Sequence, residues 1–177
     1  MHDAEILLGN FGASLFMETI MHTDVIDVLV AIDTESIVNS VGFNNSASNP
    51  STVDPSHVSI AGSGQSAKDN HLLFNLMDPV YWRASAMGLG DPCEIYDFVG
   101  TGEVITQPRL ESLNGTTLTP NPDNPSEPTV NNNVKMWRWQ STAANKGQVT
   151  CGIRFVIVGR EGRQTGYYQC NISITTS

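Results

Sequence analysis

The chain has 177 residues, 40% of them hydrophobic, which suits one domain with its own core, since about 70% of the unfolded surface is buried at this size. Nine Lys and Arg stand against eighteen Asp and Glu, and the formal charge of −9 repels a phosphate backbone and excludes DNA and RNA as main partners. Charged residues reach only 15% where an average domain has about a quarter, and no apolar run of about eighteen residues offers a membrane span.

Residues 1–23 read as an apolar arm ahead of the main domain. Leu8, Phe11 and Leu15 keep helical spacing with Phe16 beside them, while Gly9 and Gly12 each weaken a helix by up to about 1 kcal/mol relative to Ala. A short helix or an irregular segment is therefore expected. It packs either on its own domain or on a neighbouring copy, which makes Leu8, Phe11, Leu15 and Phe16 the candidate self-association residues. The early charges are Asp3 and Glu5, without a basic stretch before the apolar residues, so the reading is a cytoplasmic protein with no signal peptide. The sequons at Asn44, Asn114 and Asn171 carry no meaning in that compartment.

Residues 24–177 read as a β domain. Ile26, Val28, Val30 and Ile32 fall on one face of an extended chain, and the polar run Asp33-Thr34-Glu35-Ser36 ends the strand. From Val38 to Pro55 the residues favour a surface loop. A weak strand is expected at His57-Val-Ser-Ile-Ala, followed by a turn at Gly62-Ser-Gly. Two more are expected on either side of Asp78-Pro79, the second with Val80, Trp82 and Ala84 on one face. Cys93 to Val99 alternates, opposing Ile95 and Asp97 to Tyr96 and Phe98, and Val104-Ile-Thr extends it or pairs with it. Leu113-Asn-Gly-Thr116 reads as a tight turn, because Asn-Gly accepts two positive φ angles at least cost. Thr119 to Asn133, with Pro120, Pro122, Pro125 and Pro128, reads as an exposed loop that no ladder crosses.

The last third alternates most cleanly. Trp137 and Trp139 share a side; Val149, Cys151, Ile153, Phe155 and Ile157 form one apolar face, and Tyr168, Cys170, Ile172 and Ile174 form another. A two-residue loop at Arg160-Glu161 sets Cys151 directly opposite Cys170, yet a reducing compartment leaves them as buried thiols. Short strands with Gly and Pro turns imply an all-β fold, an antiparallel β-sandwich with the N-terminal arm attached.

Little of the sequence points to chemistry. Asp24, Asp27, Asp33 and Glu35 lack the spacing of a calcium loop, and His2, His22, His57 and His71 are too scattered for zinc. No nucleophile elbow or phosphate-binding glycine loop is present, so no catalytic residue, cofactor or metal is assigned and the chain reads as a non-enzyme. Trp82, Trp137, Trp139 and Tyr167 are the candidate ligand platform, since aromatic faces beside Arg83 or Arg138 can stack on sugar rings; core packing is the competing role.

Four pieces together resemble a known family: Ile26-Asp-Val-Leu-Val-Ala-Ile-Asp-Thr-Glu-Ser-Ile37, Asp78-Pro-Val-Tyr-Trp-Arg83, Trp137-Arg-Trp139 and Gly166-Tyr-Tyr-Gln-Cys-Asn-Ile-Ser-Ile174. They are similar to the PixA/AidA family of bacterial inclusion-body and quorum-sensing-regulated proteins. The resemblance implies an abundant, non-enzymatic protein of insect- or plant-associated bacteria, able to accumulate as ordered inclusions and with a role toward the host. It brings no catalytic residues. The expectation is thus a self-associating homo-oligomer whose partner is itself, with a carbohydrate-binding module that takes a glycan as the alternative.

Overall fold

The structure is a computed structural model that describes residues 25–62, 70–88, 90–159 and 165–177. The arm at 1–23, with Leu8, Phe11, Leu15 and Phe16, and the turn expected after Gly62 lie outside the described residues. The elements are β1 (Ile26–Ile32), α1 (Thr34–Val41), β2 (Ser51–Thr52), a 3-10 turn (Pro55–His57), β3 (Val58–Gly62), β4 (His71–Phe74) and β5 (Pro79–Ala86). There follow β6 (Cys93–Val99), β7 (Arg109–Thr119), β8 (Thr129–Thr142), β9 (Gly147–Val158) and β10 (Thr165–Thr176).

Two sheets face each other. The first has the order β3-β1-β5-β8-β7, and the second runs β2-β10-β9-β6, with β4 pairing further along the same edge of β10. The sandwich is all-β as the alternation implies, and its sheets are mixed: β1 runs parallel to β5, and β10 parallel to both β2 and β4. The core is built from the faces with a period of two. Ile26, Val28, Val30 and Ile32 of β1 meet Ile153, Phe155 and Ile157 of β9 and Tyr168, Cys170, Ile172 and Ile174 of β10 in one buried cluster.

The chain changes sheets between β4 and β5, at Asn75–Asp78. The buried Asp78 carboxylate accepts the Asn75 N–H at 2.8 Å, and Met77 takes φ 74° while its N–H donates to the Ala143 carbonyl at 2.8 Å. A positive φ on a side-chain-bearing residue is strained, so the carboxylate and the cross-link to residue 143 hold this corner.

Several sequence expectations change. Residues 34–41, placed in a strand stop and a loop, form α1, whose Ile37 is buried; Asp33 caps it by accepting the Ser36 N–H at 3.0 Å. In β6, Ile95 opposes Phe155 and Asp97 opposes Arg154, so Tyr96 is an inserted bulge residue and both Ile95 and Phe98 reach the core. Ile105 is buried and bridges to Ala143. The turn expected at Asn114-Gly115 lies in the middle of β7, and the loop expected from 119 to 133 is confined to residues 120–128, with 129–133 inside β8. The special backbone there belongs to Asn133 at φ 60°. Gly115 opposes Val134 and Thr117 opposes Asn131, so the inserted residue sits on β8 while β7 runs regularly.

The link between β9 and β10 is longer than a two-residue loop. Val158 opposes Thr165, which puts Cys151 against Ile172 and Cys170 against Ile153. Cys93, Cys151 and Cys170 are all free.

Candidate functional site

The first sheet has a row, Val28, Trp82, Trp139 and Leu110, running from β1 through β5 and β8 to β7 with all four side chains on the inner face. Exposure climbs along it, from 0% at Val28 and Trp82 to 51% at Leu110, because β6, the edge strand of the second sheet, covers one end of the row and not the other. Trp82 Nε1 donates to Ser141 Oγ at 2.9 Å, and Trp139 Nε1 donates to the Ile95 carbonyl of β6 at 3.0 Å. Phe98 packs edge-on between them, its ring centroid 5.4 Å from that of Trp82 and 5.5 Å from that of Trp139.

The four residues considered as a ligand platform therefore have different settings. Trp82 is buried and Trp139 is half-buried with its N–H engaged in the core. Trp137 is 56% exposed on the same strand face, with Lys135 Nζ 4.7 Å above its ring. Tyr167 lies on the second sheet, edge-on to Tyr96 with centroids 5.4 Å apart. Core packing accounts for Trp82 and Trp139.

Beyond this row β8 outruns its neighbour. Only Trp139 to Thr142 pair with β5, whereas the pairing with β7 continues to Thr129, so the outer parts of β7 and β8 project as a two-stranded ribbon. Alternation places Leu110, Ser112, Asn114, Thr116 and Leu118 of β7 on one face. Trp139 and Trp137 lie opposite Leu110 and Ser112 on that face, and past the bulge Val130 lies opposite Leu118. Leu110, Trp137, Leu118 and Val130 are thus a stripe of large apolar side chains, each at least half exposed. The other face is mixed: Arg138 donates to Glu111 at 3.0 Å and stacks 3.5 Å from the Tyr81 ring centroid, and next along the ribbon Leu113 lies opposite Met136, both half-buried.

A groove of about 590 Å³ opens at the root of the ribbon, lined by Thr106, Gln107, Arg109, Leu110, Glu111 and residues 140–142. Among the described residues its lining contains neither His nor Cys. The thiols elsewhere are unreactive by setting, since burial pushes Cys93 up to about 11 and Cys151 and Cys170 up to about 12. His71 Nε2 is 2.9 Å from Thr175 Oγ1 across the parallel β4–β10 pair. Among the described residues no three His, Cys, Asp or Glu side chains converge as a metal site would require. No helix among them is long and apolar enough to cross a membrane. The ribbon was missed in the sequence because Asn114-Gly115 carries a turn signature and four prolines follow; Leu118 and Val130 on either side of those prolines were the available clue.

Comparison with known proteins agrees with this geometry. The crystal structure of an inclusion body protein (PixA) from Burkholderia cenocepacia J2315 superposes with a TM-score of 0.69 at 19% identity, covering 88% of this chain and 97% of that one, which establishes the shared fold. A multicopper oxidase aligns at 14% identity over 88% of this chain and 45% of its own, with a TM-score of 0.29 that supports no argument. No curated protein matches the sequence. The sequence profile of the PixA inclusion body proteins matches residues 24–176. The chain belongs to the PixA family of inclusion body proteins.

Proposed function

We propose that this chain is a non-enzymatic protein that associates with copies of itself in the cytoplasm and accumulates as inclusions. The observation that carries the reading is the projecting ribbon, which holds Leu110, Leu118, Val130 and Trp137 in water on one face. Apolar side chains aligned in this way gain free energy, about 25 cal/mol per Å², when a second surface removes them from solvent. Residues 1–23, with Leu8, Phe11, Leu15 and Phe16, are proposed as a further contribution, since an apolar arm gains in the same way by packing on a neighbour. A carbohydrate-binding role keeps Trp137 as its one well-exposed indole. The test is sedimentation velocity over a hundredfold range of concentration. Association that grows with concentration supports the reading, and a monomer of 19.2 kDa throughout rejects it.

A further inference from the structure

We infer that the outer edge of β7 is the contact between copies, and that two β7 strands pair antiparallel over their whole length about a dyad at Asn114. The inference rests on the self-association proposed above.

Among the described residues β7 has β8 on one side and no strand on the other. An edge of eleven residues with no second strand paired to it among the described residues is a template for another strand, and proteins that avoid pairing blunt such edges with charged side chains, lysine above all, with proline or with bulges. β7 has no lysine, proline or bulge between Arg109 and Thr119, and its two charges, Arg109 and Glu111, stand at its start, with Glu111 tied to Arg138 of β8. The opposite edge of the ribbon, on β8, has two of them, Lys135 and the bulge at Asn133. Among the described residues one edge of the ribbon is protected and the other is open.

The sequence of β7 then selects the partner and the register. Pro108 and Pro120 bracket the strand, and since proline cannot donate to a ladder, they limit pairing to the residues between them. Two β7 strands overlap fully in one antiparallel register, with Arg109 opposite Thr119 of the second copy and Asn114 opposite itself. In that register Leu110 faces Leu118 of the second copy, and the dyad repeats the pair. Glu111 faces Thr117, Ser112 faces Thr116 and Leu113 faces Gly115, so no like charges meet. Residues of equal parity are opposed throughout, so every outward-pointing backbone group meets an outward-pointing group. Leu110 and Leu118 are 51% and 63% exposed, and each gains an apolar neighbour. The first sheet becomes a continuous ten-stranded sheet across two copies, with the strands of one copy in the order β3-β1-β5-β8-β7 followed by the reverse.

Cysteine pairs read the register. Under mild oxidation Asn114→Cys should form a covalent dimer with itself. Ser112→Cys alone should not, because its copies stand about 13 Å apart along the strands. A mixture of Ser112→Cys and Thr116→Cys should cross-link as Asn114→Cys does, with the parent chain and its free thiols as the control. Leu118→Lys, at an exposed position that leaves folding intact, should raise the concentration needed for association at least tenfold. A chain that associates while Asn114→Cys stays uncoupled and Leu118→Lys changes nothing overturns the β7 contact and leaves self-association standing through another surface. A chain that stays monomeric removes both.

Discussion

Replacing Trp82 by alanine tests the interior on which the ribbon is built. Truncating a large buried aromatic costs about 3–5 kcal/mol from lost transfer energy and the cavity left behind. Two features put Trp82 at the top of that range. Its ring makes edge contacts with Phe74 at 6.2 Å and Phe98 at 5.4 Å, each worth about 0.5–1.5 kcal/mol beyond area. Its N–H also satisfies the buried Ser141 hydroxyl, whose loss of a partner costs about 1–3 kcal/mol. We expect about 5 kcal/mol for Trp82→Ala, comparable to the whole stability of a marginal domain. Trp137→Ala, at a 56% exposed position on the same sheet, should change stability by no more than about 0.5 kcal/mol. Urea unfolding followed by far-ultraviolet circular dichroism separates them, because with a slope of about 2 kcal/mol/M the first moves the midpoint by about 2.5 M and the second barely moves it. Equal midpoints for the two variants would refute the placement of Trp82 between the sheets.

Other expectations follow from the backbone and the buried groups. Met77 at φ 74° and Asn133 at φ 60° differ in residue type, so Met77→Gly should raise the urea midpoint by relieving strain, while Asn133→Val should lower stability by about 1–2 kcal/mol. Asp33→Ala removes the cap of α1 and should cost about 1 kcal/mol, whereas Asp33→Asn should keep the cap. The Ser36 hydrogen bonds hold the Asp33 carboxyl below its usual value of 3.8, so its contribution is present above that value and is lost as pH falls through the lowered one. A shallower acid limb in Asp33→Asn than in the parent chain would agree, the remainder coming from other carboxylates such as Asp54, which the Ser56 hydrogen bonds also hold low. Burial raises Cys151 and Cys170 from 9.0 to about 12, so the folded chain keeps protons that the unfolded chain releases; stability should hold below pH 9.0 and fall toward pH 12. Denaturation midpoints across that range, compared with a Cys151→Val and Cys170→Val chain, measure the difference.

What could be read from the sequence follows the physics of alternation. β1 and β10 are buried on one face over their full length and β9 from Cys151 onward, so a period of two is enough to name Val28, Ile153, Phe155 and Ile172 as core. The same rule failed at Phe98, because the bulge at Tyr96 shifts the strand by one residue and a local pattern does not register an insertion. It failed again at α1, a helix of eight residues with only Thr34 and Ile37 buried, too short to show a helical period. The ribbon was hidden for another reason. Neither of its faces is packed against the second sheet along its outer half, so its residues are mostly polar and Asn114-Gly115 looked like a turn. Strand identity there comes from pairing with β8, a non-local fact. For the candidate ligand platform, sequence supplied the rings and could not supply their depth: Trp82 and Trp137 look alike in an alternating strand, but Trp82 packs between Phe74 and Phe98 of the second sheet while Trp137 lies on the stretch of β8 that runs past β5.

Oxidation of Asn114→Cys, at concentrations where the parent chain associates, reports whether copies of this chain meet through the edge of β7. A covalent dimer in high yield is expected, with Ser112→Cys alone remaining uncoupled. Coupling at residue 112 alone, or at neither residue while association persists, would contradict that contact.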